Sequence, residues 1–192
     1  MVELDNPFAK AHKASEIIDA LPLKRGVRAL DIGCGPGRVL LPLAQKVAEV
    51  KGQVTGLDIQ VEMLNKTLVK AKKLNITNID VIHGNIDEVP LGQNYDIILM
   101  ICVLGEIPKD ARELVIVKIA NHLQPEGIIS ITEIMFDPHF QKHQAVTGIM
   151  EKVGFVETKF IGNWLAYTAQ FQKKFSLKNL DERNNVTAIL SA

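Results

Sequence analysis

Apolar and polar positions fall into blocks along the chain, and the blocks change period at regular intervals. Phe8, Ala11, Ala14, Ile17, Ile18 and Leu21 recur at helical spacing behind Asn6-Pro7, a cap followed by proline at the first helical position. The first element is therefore an amphipathic helix over residues 6–21, ended by Pro22 and Gly26. Short apolar runs at 27–32, 53–59, 79–83, 95–103 and 128–134 read as strands, and helix-period segments at 38–50, 61–74, 108–123 and 138–153 separate most of them. The run from Ile97 to Val103 is the most continuous, the mark of a central strand covered on both faces. Gln124-Pro125-Glu126-Gly127 reads as a turn, and Gly154 closes the last helix. This alternation calls for an α/β architecture with parallel strands and right-handed crossovers. Two final strands, 155–161 and 164–171, are joined at Gly162-Asn163 and require an antiparallel hairpin. A parallel sheet finished by one antiparallel edge strand follows, as a single domain over 1–173 with a polar tail over 174–192.

Composition narrows the possible partners. Lys+Arg and Asp+Glu each number 22 among 192 residues, so no charge excess draws in nucleic acid or an anionic membrane. Apolar residues make up 47%, enough for a full-sized core. No signal-type apolar run opens the chain and no long uncharged stretch spans a bilayer, so the expected location is cytoplasmic. Two cysteines, Cys34 and Cys102, are too few for a disulfide framework or a structural zinc site.

The chemistry concentrates at the strand ends. Asp31-Ile-Gly-Cys-Gly-Pro-Gly37 places glycines at 33, 35 and 37 between a strand and a helix. Glycine lets a backbone turn sharply and approach a ligand without a side chain between them. The helix that follows is expected to aim its N–H groups and positive dipole end at that ligand. The spacing is G-x-G-x-G, because Arg38 stands where a dinucleotide fold would place its third glycine. Asp58, at the second strand's end and about 20 residues past the loop, suits ribose hydroxyls. Asn85 offers an amide oxygen to an exocyclic amine, Ile86 a backbone N–H and an apolar wall, and Met100 to Leu104 form an apolar lip.

Taken in order with Gly84-Asn-Ile-Asp-Glu-Val-Pro90, Tyr95-Asp96-Ile-Ile and Leu123-Gln-Pro-Glu-Gly127, these segments resemble the class I S-adenosylmethionine-dependent methyltransferases. The small-molecule type found in quinone biosynthesis is the nearest likeness, and it covers residues 26–171. The resemblance implies a Rossmann-like sheet of seven strands, six parallel and a C-terminal one antiparallel, with helices on both faces. It implies that S-adenosylmethionine is the cofactor and a small molecule the methyl acceptor. Gly33, Cys34, Gly35 and Gly37 would wrap the methionine part, with Asp31 near its ammonium end. Asp58 would hold the ribose, Ile59 would pack on the adenine, Asn85 and Ile86 would read its edge, and Ile101 would line the cofactor. The adenine-edge position is commonly aspartate in this family and is Asn85 here, and Ile101 stands where a small polar residue is often found.

No paired acid and base can be read from spacing. If the acceptor must lose a proton early, the candidate bases near strand ends are Glu106, Glu133, Asp137 and His139, with Glu106 and Glu133 expected to orient the acceptor instead; His12 and His143 on helices are weaker candidates. A nucleic-acid amino-methyltransferase usually has an Asn/Asp-Pro-Pro-aromatic segment where this chain has Cys102-Val-Leu-Gly-Glu106. Two other readings stay open. One is a non-catalytic cofactor-binding or partner-activating subunit, suggested by the short connection from Ile134 to His139. The other is a nicotinamide-dependent oxidoreductase, against which Arg38 counts.

Overall fold

The computed structural model describes residues 13–174. The first part of the expected opening helix, 6–12, and most of the expected tail, 175–192, lie outside the described residues. The elements are α1 (Ala14–Asp19), β1 (Arg28–Ile32), α2 (Leu40–Ala48), β2 (Gln53–Asp58), α3 (Val61–Lys73), β3 (Ile79–His83) and β4 (Tyr95–Ile101), then α4 (Arg112–Asn121), β5 (Leu123–Ile134), α5 (His143–Lys152), β6 (Phe155–Gly162) and β7 (Ala166–Lys173).

The seven strands form one sheet in the order β3-β2-β1-β4-β5-β7-β6. The pairs β1–β2, β1–β4, β2–β3 and β4–β5 are parallel, while β7 runs antiparallel to both β5 and β6. Six strands thus point one way and β7 the other, as expected. The antiparallel strand is not at the edge, however. The hairpin folds β7 inward against β5 and leaves β6 outside. Burial explains this: β7 carries Tyr167, Ala169 and Phe171, all at most 2% exposed, while β6 exposes Val156 and Phe160. Charge separates the two: β6 carries Glu157 and Lys159 mid-strand, which suits an edge, whereas β7 is uncharged until its last residue, Lys173.

Cores lie on both faces of the sheet. On one, Leu30, Ile98 and Ile131 pack with Val115 and Ile119 of α4 and with Val146 and Met150 of α5. On the other, Ala29, Ile97 and Leu99 pack with Ile17 of α1, Leu40 and Leu43 of α2 and Leu64 of α3. Alternate residues of β4 serve opposite cores, which is why its sequence reads as a continuous apolar run.

Element ends shift where local chemistry intervenes. The segment 124–127 is no turn between elements but a bulge inside β5, whose pairing with β4 jumps from Tyr95↔Leu123 to Ile97↔Ile128. Pro125 has no N–H for the ladder, and a Cβ at Gly127 would lie 2.9 Å from the Asp96 carbonyl. Helix α4 begins at Arg112, after a turn in which the Ala111 N–H donates to the Pro108 carbonyl. Helix α5 begins at His143, because the Asp137 side chain accepts the His139 N–H and its carbonyl the Phe140 N–H, turning the chain before a helix can start. Strand β4 stops at Ile101, where Cys102 takes a φ of 56°.

Candidate active site

A cleft of about 570 Å³ opens at the carboxyl ends of β1, β2, β3 and β4, where an open parallel sheet presents ligands. Gly33 and Gly35 reach it from the loop after β1, Asp58 and Ile59 from the end of β2, Asn85 and Ile86 from the loop after β3, and Ile101 and Glu106 from β4 and beyond. The sheet order sets the layout: Asp58, Ile59, Asn85 and Ile86 lie on the β2–β3 side, the glycine loop lies centrally, and Ile101 and Glu106 lie on the β4–β5 side.

The three glycines have separate jobs. Gly35 sits at φ +53° and lines the cleft, and a Cβ placed on it would meet nothing within 4 Å. A side chain there would project into open cleft space. A Cβ on Gly33, at φ +68°, would strike the Val103 side chain, so this glycine lets the loops after β1 and β4 close together. A Cβ on Gly37 would lie 2.9 Å from Leu41 Cγ and 3.0 Å from Thr67 Oγ1, which makes Gly37 a packing residue against helices α2 and α3. Gly37, Cys34 and Asp31 do not line the cleft. The Cys34 thiol is buried behind the loop, bonded to the Gly35 carbonyl, and burial pushes its pKa up.

The loop's N–H groups are taken up within the protein. Gly33 and Cys34 donate to the Leu57 carbonyl, Gly37 donates to the Cys34 carbonyl, and Gly35 donates to Asp58 Oδ2 at 2.7 Å. Helix α3 holds the loop from behind, with Thr67 Oγ1 donating to the Gly35 carbonyl at 2.9 Å. Helix α2 starts only at Leu40, so the loop is longer than the sequence suggests. Asp58 links the parts: its Oδ1 accepts the Gln60 N–H at 2.8 Å while it faces the cleft. Two accepted bonds leave lone pairs on a carboxylate for a ligand.

Among the described residues, burial raises the pKa of Asp31, Glu133 and Glu106. Asp31 is 2% exposed, and burial pushes its pKa up to about 7, with Arg38 opposing and Asp58 adding to the shift. Glu133, 1% exposed, is also pushed up to about 7, mainly by burial. Its Oε2 accepts the Gln141 N–H at 3.0 Å and its Oε1 has no partner among the described residues. Glu133 does not line the cleft, nor does Gln141, whose side-chain oxygen accepts from Arg112 Nη1 at 2.7 Å. Arg112 Nε and Nη2 donate to the carbonyls of Ile107 and Gly105, tying the wall after β4 to the connection after β5.

Sequence reasoning missed Met63 and Ala111 as cleft residues, while Cys102 and Val103 of the apolar lip and the candidate Asp137 do line it. Cys102 and Val103 adjoin Ile101 in the apolar lip, and Met63 lies in the first turn after the acid of β2. No local signal marks Ala111.

A family model described as methyltransferase domain matches residues 23–184, running past the expected domain end at 173. The chain belongs to this methyltransferase domain family. It is 33% identical over 109 residues to a probable (S)-tetrahydroprotoberberine N-methyltransferase of Papaver bracteatum, covering 57% of this chain and 29% of that protein. It is 35% identical over 85 residues to a demethylmenaquinone methyltransferase of Bacillus cereus, covering 43% of this chain and 35% of that protein. The chain therefore spans about a third of the length of these relatives. Its fold is that of a SAM-dependent methyltransferase structure from Aquifex aeolicus, at 24% identity and TM-score 0.74, over 87% of this chain and 93% of the other. Among the described residues no helix is long and apolar enough to cross a membrane, and no cluster of His, Cys, Asp and Glu could hold a metal ion.

Proposed function

We propose that the protein transfers a methyl group from S-adenosylmethionine to a small-molecule acceptor. The observation that carries this reading is Gly35, held at positive φ by the Asp58 carboxylate with its side-chain direction open to the cleft. Ile59 supports it, since it is 61% exposed and would be covered by a ligand in the cleft it lines. These residues fit the cofactor. In this reading Gly33 and Gly35 admit the methionine part and Asp58 holds the ribose hydroxyls. Ile59 packs on the adenine, Asn85 and Ile86 read its edge, and Ile101 lines it from β4. Cys34 and Gly37 shape the loop from behind, and Asp31 lies beneath it, toward the ammonium end of the methionine part.

Bound there, S-adenosylmethionine supplies an electrophilic methyl on a sulfonium. The chain's own task is to position an acceptor and exclude water, which provides much of the acceleration in such a displacement. Glu106 lines the cleft and orients the acceptor. Glu133 orients it indirectly, by holding Gln141 and through it the wall that Arg112 clamps. A cytoplasmic location and small-molecule partners without nucleic acid belong to the same proposal, supported by the neutral charge balance.

Calorimetric titration with S-adenosylmethionine, S-adenosylhomocysteine and NADH tests the reading. The first two should bind at one site per chain and the third should not. Binding of NADH alone would overturn it in favour of an oxidoreductase.

A further inference from the structure

The cleft's charges are one-sided. Asp58, Asp87, Glu106 and Asp137 line it, and among the described residues no Lys, Arg or His does. The cations nearby are committed or set back. All three donor nitrogens of Arg112 face protein oxygens. His139 lies 4.0 Å from Asp137 Oδ1 with 57% of its side chain exposed. Arg38 acts on Asp31 and Cys102 at the central, glycine-loop end.

The four carboxylates divide between two ends. Asp58 and Asp87 belong to the β2–β3 side, and Asp58 already accepts two backbone N–H groups. Glu106 and Asp137 follow β4 and β5, on the far side of the glycine loop. The Glu106 side chain makes no hydrogen bond among the described residues, and Asp137 accepts only through Oδ1, from the His139 N–H. Beside them the wall is apolar, built by Ile107, Pro108, Ala111 and Val115. With Glu106 and Asp137 lining this end, the exposed His139 beside them and, among the described residues, no cation in the lining, the site repels carboxylate and phosphate ligands and attracts ammonium groups.

Given the methyl-transfer reading, on which this step rests, we infer that the acceptor is an amine with an apolar body, held as its ammonium form by Glu106 and Asp137. The carboxylates then have a second use. An ammonium nitrogen has no lone pair to offer. Passing one proton from nitrogen to the Glu106 or Asp137 carboxylate gives a carboxylic acid and a neutral amine whose lone pair is free to attack. Burial, Asp137 and, more weakly, Asp58 raise the Glu106 pKa against the opposing His139, in the direction that helps it hold that proton.

The test uses the full chain saturated with S-adenosylhomocysteine and a panel of ligands in matched sets that share one apolar body, such as phenethylamine, phenethyl alcohol and phenylpropionate. Amines should bind about ten- to a hundredfold more tightly than their alcohols, the range expected for charge-assisted hydrogen bonds, and the acids should not bind. Glu106→Gln combined with Asp137→Asn should erase the preference for amines while S-adenosylhomocysteine affinity stays within about threefold, a shift of ~0.7 kcal/mol or less. Equal binding of amine and alcohol, a preference for acids, or no amine binding across primary, secondary and tertiary members overturns the inference. So does a double variant that loses S-adenosylhomocysteine instead, for then the carboxylates serve the cofactor. Failure of the wild-type chain to bind S-adenosylhomocysteine at all counts against the methyl-transfer reading itself.

Discussion

Asp58 both secures the glycine loop and faces the cleft, so its removal should be felt twice. Asp58→Ala strands the Gly35 and Gln60 N–H groups and removes the carboxylate that faces the cleft. We expect S-adenosylmethionine binding to weaken by ~1.5–3 kcal/mol in calorimetry, with a loss of ~1–3 kcal/mol in unfolding free energy. Unchanged affinity would remove Asp58 from the ribose role. Gly35→Val separates shape from stability differently. The branched side chain enters the cleft from a left-handed backbone, at a strain cost of ~1–2 kcal/mol. The variant should stay folded by circular dichroism and bind no S-adenosylhomocysteine; normal binding would place the cofactor elsewhere. Glu133 carries a pH dependence. Folded, it keeps its proton to about pH 7, whereas the unfolded chain loses it near 4.5. Between those values the folded state binds more protons, so stability falls as pH rises through this window and levels off above it. Asp31 acts in the same direction. Glu133→Gln should remove its share, up to about 3 kcal/mol, so that the variant gains on the wild type between pH 5 and 8 in urea unfolding. A constant difference between the two across that range would contradict this.

The connections after β4 and β5 behave as one element because Arg112 joins them. Its guanidinium meets the Gly105 and Ile107 carbonyls and the Gln141 side chain, and the Gln141 carbonyl in turn accepts the Tyr167 hydroxyl at 2.7 Å. Lysine cannot replace this fork, since its ammonium is a point charge on a flexible stem. Arg112→Lys and Arg112→Met should both cost roughly 3 kcal/mol, the cost of buried acceptors left unpaired. Hydrogen exchange should quicken together at 105–108 and 139–142, with β1 and β2 unaffected. Exchange that quickens at only one of these two segments would show that they are not coupled. The connection after β5, short enough in sequence to suggest an incomplete site, is thus a fastened wall.

At the scale of the whole molecule, the cleft crosses four parallel strands, so a ligand that fills it braces the sheet's carboxyl edge and binds only the folded chain. S-adenosylhomocysteine at about 100 times its dissociation constant should stabilise the protein by ~2.7 kcal/mol, read as a rise in the thermal midpoint. No rise at saturating ligand would mean that the cleft is not its binding site. The inward placement of β7 belongs to this scale too. It puts Tyr167 beside Gln141 and Glu133, so a strand far along the chain supports the β4–β5 side of the molecule.

The seven strands were legible because each strand's period is local: a buried strand must be apolar along its length, and turns need glycine, proline or asparagine at particular places. The positions of Gly35, Asp58, Asn85 and Ile101 at strand ends were legible for the same reason, since strand order puts those ends together. What the tertiary structure alone decided was pairing across distance. It set β7 inside β6, since burial compares two strands and no single strand carries that comparison. It turned Cys34, Gly37 and Asp31 away from the cleft, because the loop's N–H groups found Leu57, Asp58 and Cys34 as partners. It also joined Arg112, Gln141, Glu133 and Tyr167, residues up to 55 positions apart with no shared motif, into one hydrogen-bonded wall. A hydrogen bond needs two groups at about 3 Å. Sequence spacing reports that distance within a helix or a turn, and only the folded chain reports it between them.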